Sequence, residues 1–336
     1  MLDHVCYYPA VNPVSTALYS TTLGKDMRIL CLILSLCCTL TALGEDKILN
    51  VYNWNDYLPK YLIRQFEDET GIKVNYSEFD SNDTLYAKIK SSKQSNYDII
   101  APSCYMVDRM REEKMLHKID KKLLTNFKHL DSFFLNRRYD PNNEYSIPYL
   151  WTTTGIVINT RYHKLKDVQR WADLWNPKYR NQLILLDEWR DIFSSALLMH
   201  HFEVNTKDVD EIKIAYLSLV DLMQNVRVFS STANANIFID EDITIGISWA
   251  GDAFLANQEN PHIVYIYPQE GFTIELDNLA IPHNAKHPIA AHQFMNFVLR
   301  PEIAAQLPLR TGHSTPNKSA IKLLPGKLRF NPIINP

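Results

Sequence analysis

Hydrophobic and polar positions switch between two periods along most of this chain. Residues 48–52, Ile-Leu-Asn-Val-Tyr, make a short apolar run of the buried-strand kind that opens into the polar-aromatic loop Asn53-Trp54-Asn55-Asp56-Tyr57. Pro59 starts a helix predicted over 59–70, with Leu58, Leu62 and Phe66 at four-residue spacing and Gly71 as its left-handed stop. Residues 72–76 return as a strand, Ser81-Asn82-Asp83 caps a helix carrying Leu85, Ala87 and Ile89, and 97–102 is a short strand of the parallel-sheet kind ending in the loop Ser103-Cys104-Tyr105. Strands alternating with amphipathic helices predict an α/β fold with right-handed crossovers. The loops after Tyr52 and Pro102 should then open on one edge of one sheet.

The Asn-, Pro- and Tyr-rich stretch 140–149 reads as a crossing between two domains near Leu150, followed by a new strand over 152–159. Trp171-Ala172-Asp173-Leu174-Trp175 opens a helix-turn region, 183–186 is a strand, and 187–191 lead into a helix on which Glu188 and Asp191, three apart, share a face. Thr206 caps a long helix whose positions Val209, Ile212, Tyr216, Leu219 and Met223 read as a core stripe. Strands over 243–248 and 263–267 follow, the first ending in Trp249-Ala250-Gly251-Asp252. Residues 275–278 precede an apolar strand over 279–282, and 289–299 form a helix with Phe294 and Phe297 inward. The resulting division is 45–150 with 276–323 as one lobe and 151–275 with 324–336 as the other.

Composition narrows the class. A chain of 336 residues that is 46% hydrophobic, with only 9 glycines, has ample material for two cores. A net charge of -3, from 35 basic and 38 acidic residues, supplies no electrostatic footprint for nucleic acid or an anionic membrane surface. Four of the five cysteines precede residue 45, so Cys104 has no partner for an internal disulfide in the rest of the chain. Met27-Arg28, the apolar run 29–40 and small residues up to Gly44 read as an export signal spanning 1–44, with Met27 as an alternative start and a cut before Glu45. The run is short for a membrane span. Lipid attachment at Cys37 or Cys38 is the alternative, disfavoured by the bulky Leu36.

The chemistry-bearing residues gather at predicted strand ends. Flat aromatic faces beside carboxylates suit an organic cation, and in doubly wound sheets ligands sit outside the carboxyl ends of strands. Trp54, Asp56 and Tyr57 satisfy that pattern after the first strand, and Trp249 occurs at another strand end. Plainer readings stand beside these. Trp54 and Tyr57 could plug a strand-helix junction, and Tyr105 and Trp249 could be core. Glu188 and Asp191 could be first-turn acids favoured by the helix dipole, Asp277 a turn residue, and Ser103 and Ser231 caps. Asp252 reads as a surface turn. The chain has no glycine-rich phosphate loop, G-x-S-x-G elbow or H-E-x-x-H pair, and His200-His201 lacks a second ligand cluster, so no cofactor or metal is expected.

Tyr52-Asn53-Trp54, 97–108, 140–149, 171–174 and Arg300-Pro301, in that order, carry a resemblance to the periplasmic spermidine/putrescine-binding proteins of polyamine ABC importers, from about residue 48 to about residue 324. The resemblance implies a two-lobed periplasmic-binding-protein fold with the ligand in an interdomain cleft crossed by hinges. It also implies a monomeric periplasmic receptor handing polyamine to ABC transporter membrane subunits. It further implies ligand-binding roles for Trp54, Asp56, Tyr57, Ser103, Tyr105, Glu188, Asp191, Ser231, Trp249 and Asp277. Glu275 stands where the family's spermidine binders resemble one another in having an aromatic, and His313 stands where the family has a tyrosine; both are included in the expected site. On a strand Glu275 would share a face with Asp277 and favour ligands with more charge near that end, unless it turns outward. The family continues past Pro336 with a helical segment carrying a ligand-contacting glutamine, so an incomplete cover on the second lobe is expected.

Two other classes fit parts of the pattern. A glycosidase would use Glu188 and Asp191 as its carboxyl pair, but a pair on one helical turn lacks the separation across a substrate that such chemistry needs. The same receptor fold could instead hold a thiamine-like or amino-acid-derived cation, or act as a sensor.

Overall fold

A computed structural model describes residues 47–55, 57–91, 96–231 and 234–334, all within one compact unit, 47–336. The predicted export signal and Asp56 lie outside the described residues. The first strand, β1 (Ile48–Trp54), leads into helix α1 (Lys60–Thr70), which Gly71 ends at φ 67° as its apolar spacing predicts. Phe66 of α1 packs edge-on against Phe294 and Phe297 of a later helix (Pro288–Val298), with ring centroids 5.1 and 5.4 Å apart. Strands β2 (Lys73–Phe79) and β3 (Ile99–Ile100) flank β1 in parallel, with helix α2 (Asn82–Ser91) between them in sequence. The loops after β1 and β3 therefore open on the same edge. Helix α3 (Cys104–Glu112) follows β3 directly.

The next strand departs from expectation. β4 (Ser146–Asn159) runs unbroken through the predicted crossing, with only a register shift between Pro148 and Leu150. Beyond it come β5 (Leu183–Leu185), α4 (Trp189–Met199), α5 (Val209–Leu222), β6 (Val226–Phe229), α6 (Asn234–Ile239), β7 (Ile245–Trp249), α7 (Ala250–Glu259), β8 (Ile263–Ile266) and β9 (Thr273–Ala280). β9 pairs antiparallel with β4 along almost its whole length and touches β3 at Ala280. Residues 275–278 thus lie inside the strand rather than ahead of it, because pairing to a distant partner, which local pattern does not reveal, extends it. Helix α8 (Pro288–Val298) closes the described core of the first half.

The buried apolar residues form two groups. One is a single cluster of 49–150 with 279–307; the other comprises two clusters between 156 and 266, and a small further cluster joins Ala304, Ala305, Ala320 and Leu324. β4 and β9 carry the chain from one core to the other, and a third passage lies beside them, where Trp151 and Ser314 exchange backbone hydrogen bonds of 2.9 and 2.8 Å. Near the end of the chain Ile333 packs on the second core and Tyr267 donates to the Pro332 carbonyl at 2.9 Å.

Of the predicted stripe on α5 only Leu219 is buried. The buried positions are Ala215, Leu219 and Leu222, while Val209, Ile212 and Tyr216 face outward, with Val209 75% exposed, and Met223 just beyond the helix is also exposed. The helix is apolar enough that helical spacing can be traced on more than one face. The face that packs is the one where small Ala215 permits close approach to α4.

At the third passage two glycines meet. Gly312 has φ +68°, and a Cβ there would lie 2.4 Å from the Gly251 carbonyl oxygen; a Cβ on Gly251 would lie 2.6 Å from His313 Nδ1. Gly312→Ala is expected to destabilise the protein by roughly 1–3 kcal/mol, whereas Gly326→Ala, with nothing within 4 Å, should do far less. Equal melting temperatures for the two variants would refute the constraint.

Candidate functional site

Between the two cores lies a cavity of about 550 Å³. Every predicted site residue except the undescribed Asp56 lines it: Trp54 and Tyr57 after β1, Ser103 and Tyr105 at the start of α3, Glu188 and Asp191 at the start of α4, Ser231 after β6, Trp249 at the end of β7, Glu275 and Asp277 on β9, and His313. Strand alternation explains the β9 pair. Glu275 and Asp277 face the cavity, while Ile274 and Leu276 line a separate crevice on the other face.

Two of the acids are held by two donors each. Tyr57 donates to Asp277 at 2.7 Å and Ser103 Oγ donates at 2.6 Å. Ser103 occupies the N-cap of α3 without a capping side-chain bond; its hydroxyl is turned instead to Asp277 and accepts from Asn82 Nδ2 at 3.0 Å. Asp191 accepts from Thr154 Oγ1 at 2.8 Å and from Trp249 Nε1 at 2.9 Å, so Trp249 contributes a hydrogen bond as well as a wall. Asp277 is thus neither a turn residue nor solvated, and Asp191, only 2% exposed, is no ordinary first-turn acid.

Crowding these acids together in a partly dry cavity disfavours their charge. Burial pushes Glu188 up to about 7, with Asp191 adding repulsion. Burial likewise lifts Asp277 to about 6 against the two donors that hold it. Glu275 is raised well above the ordinary carboxylate range by burial and then by Asp191, Asp277 and Glu188. His313 goes the other way: burial holds it down at about 4, so it is neutral and serves as a flat face, 5.2 Å from the Tyr57 ring.

Sequence reasoning missed more than half of the lining residues, among them the charged Glu78, Asp80, Arg190, Asp252 and Arg310, and Thr152. Asp252 was read as a surface turn, yet it faces the cavity from the first turn of α7, and burial pushes it up to about 7. It holds the same place after β7 that Asp191 holds after β5, and that parallel could have found it. Arg190 stacks on Tyr105 at 4.2 Å, the cation between two acids in sequence. Thr152 faces Glu275 across the β4–β9 ladder.

The cavity wall also carries unused hydrogen-bonding capacity. Thr152 Oγ1, Glu188 Oε1, Arg190 Nε, Ser231 Oγ and His313 Nδ1 are buried and bond to no described residue. Buried polar atoms are nearly always satisfied, so such a concentration around one cavity marks a surface shaped for a polar guest. No cluster of three or more His, Cys, Asp or Glu among the described residues is placed to hold a metal.

Residues 61–327 match the family of bacterial extracellular solute-binding proteins. The chain belongs to that family. It is 46% identical over 280 residues to the spermidine/putrescine-binding periplasmic protein of Escherichia coli (strain K12), covering 83% of this chain and 80% of that one. Identity to the putrescine-binding periplasmic protein PotF of the same organism is 32% over 315 residues, covering 88% and 85%. Among solved structures, the spermidine/putrescine ABC transporter substrate-binding protein PotD of Streptococcus pneumoniae superposes with a TM-score of 0.75 at 34% identity, covering 86% of this chain and 89% of that one. The fold is accordingly the two-lobed one of periplasmic binding proteins, with β4 and β9 running between the two groups of core residues beside the cavity. No described helix is long and apolar enough to cross a membrane.

Proposed function

We propose that this chain is an exported, monomeric receptor that captures spermidine or putrescine in its interlobe cleft and delivers it, in the periplasm, to the membrane subunits of an ABC importer. The observation that carries the reading is the pair of buried, donor-held acids, Asp277 and Asp191, at separate places in one aromatic-lined cavity. A polyamine is a methylene chain with an ammonium at each end. Desolvating an ammonium costs several kcal/mol unless a carboxylate meets it, and methylenes need flat apolar walls. In this reading Asp277, with Tyr57 and Ser103 behind it, takes one ammonium. Asp191 and Glu188 take another, Trp54, Tyr105, Trp249 and His313 flank the methylenes, and Ser231 and Asp56 complete the ends.

The lobes assigned are 45–150 with 276–323 and 151–275 with 324–336; the core of 49–150 with 279–307 and the clusters between 156 and 266 support the main division, while Leu324 and Leu328 pack with Ala304, Ala305 and Ala320. Because the proposed contacts come from both lobes, ligand should stabilise closure with β4 and β9 as hinge strands. Calorimetry against putrescine, spermidine, thiamine and amino-acid derivatives is expected to give binding to the polyamines alone, with a smaller radius of gyration in X-ray scattering at saturating polyamine. Tighter binding of thiamine or an amino-acid derivative would replace the cargo, and superimposable scattering curves would refute closure.

A further inference from the structure

Three cavity acids fall into a line set by the β4–β9 ladder. Opposite Thr273 of β9 stands Thr154 of β4, whose hydroxyl donates to Asp191; Glu275 stands opposite Thr152; Asp277 stands opposite Leu150. Antiparallel strands rise about 3.4 Å per residue, so successive same-face rows lie about 7 Å apart and Glu275 occupies the middle row. The two outer acids are each held by a pair of donors. Glu275 hydrogen-bonds to no described residue, and the hydroxyl of its cross-strand neighbour Thr152 is also unpartnered. The groups bearing on it are Asp191 and Glu188 from the start of α4, Asp277 from its own strand, and Arg190. Arg190 offsets these acids only in part: it favours the charge on Glu275, but its guanidinium lies over Tyr105 and forms no ion pair with a described residue within 4 Å.

Resting on the polyamine reading above, we propose that Glu275 is a specificity-determining carboxylate that takes an internal ammonium, so that the cleft selects a linear triamine over a diamine. In such a ligand, spacers of three and four methylenes place successive nitrogens about 5 and about 6 Å apart, close enough to the row spacing for side chains to accommodate the difference. A short diamine spans one step of the file and leaves an acid unpaired. A diamine of full length reaches both outer acids but buries a methylene against Glu275, which must then stay unpaired or protonated. The structure moves the effect of Glu275 from the end of the slot, where sequence placed it, to the middle.

The test compares spermidine with 1,8-diaminooctane, which has the same chain length with a methylene in place of the internal nitrogen. Titrated at pH 8, the native protein should bind spermidine about tenfold or more tighter, and Glu275→Gln should bring the two affinities together while its far-ultraviolet dichroism stays native. Equal affinities in the native protein, or a preference that survives in folded Glu275→Gln, would overturn the assignment. Should Glu275→Gln not fold, Glu275→Asp, which withdraws the carboxylate by one methylene, is expected to narrow the ratio, and an unchanged ratio overturns it too. If the native protein binds neither compound nor putrescine, the polyamine reading itself fails, an outcome distinct from loss of selectivity alone.

Discussion

Asp277→Asn should weaken spermidine binding by at least about thirtyfold, the equivalent of about 2 kcal/mol at the low end for truncating one partner of a buried charge pair. Tyr57 and Ser103 both hold this carboxylate. An asparagine keeps the shape, and either hydroxyl can accept from the new amide, so the fold should persist while the charge disappears. Asp252→Asn cannot serve as the inert comparison that sequence alone suggested, because Asp252 lines the same cavity. A surface acid such as Asp208, at the N-cap of α5, provides that comparison, and titrations of both variants decide the matter. Similar affinities for Asp277→Asn and the native protein would remove Asp277 from the binding site.

The second large effect is on pH dependence. Glu188 is raised from 4.5 to about 7, Asp277 from 3.8 to about 6 and Asp252 from 3.8 to about 7, burial being the main cause in each case. These groups hold protons in the pH range just below those values, and a polyamine needs them ionised. Affinity should therefore rise from about pH 5 to about pH 8, with protons released on binding near pH 6. Stability of the ligand-free protein has the opposite sign. An acid whose folded value is raised contributes stability fully present below its unfolded value and lost as pH rises through the folded one, here between about 4 and about 7. For Asp277, only 4% exposed, that amounts to roughly 3 kcal/mol. The empty protein should thus lose melting temperature across this window relative to Asp277→Asn, and saturating spermidine should reverse the trend. Calorimetry in buffers of different ionisation enthalpy reads the proton release directly. Zero release at pH 6 with an affinity flat from pH 5 to pH 8 would refute the cluster's titration.

Much of the fold was legible in sequence because its signals are local. Leu62 and Phe66 with a glycine stop define α1, and the apolar runs around Val51 and Ile99 pair in parallel, bringing the Trp54 and Ser103 loops to one edge. The same logic places the residues from Glu188 and Trp249 at the opposite wall. What stayed hidden depends on distant pairing or on choosing between equivalent faces. The continuity of β4 through Leu150 is a property of its partners β7, β8 and β9. On α5 the exposed Val209–Ile212–Tyr216 face and the buried Ala215–Leu219–Leu222 face both fit helical spacing. Asp252 enters the cavity only because of how α7 leaves β7, an orientation that a first-turn aspartate does not disclose by itself.

The alternation along β9 has a consequence for how this receptor can change over time. Point substitutions at 275 and 277 alter which charges the cleft displays while leaving the strand's hydrogen bonds to β4 intact. A one-residue insertion or deletion ahead of them would turn Ile274 and Leu276 toward the ligand and send Glu275 and Asp277 to the crevice behind. Ligand preference in such a scaffold can drift letter by letter, whereas its reading frame is locked by the ladder that joins the two halves of the molecule.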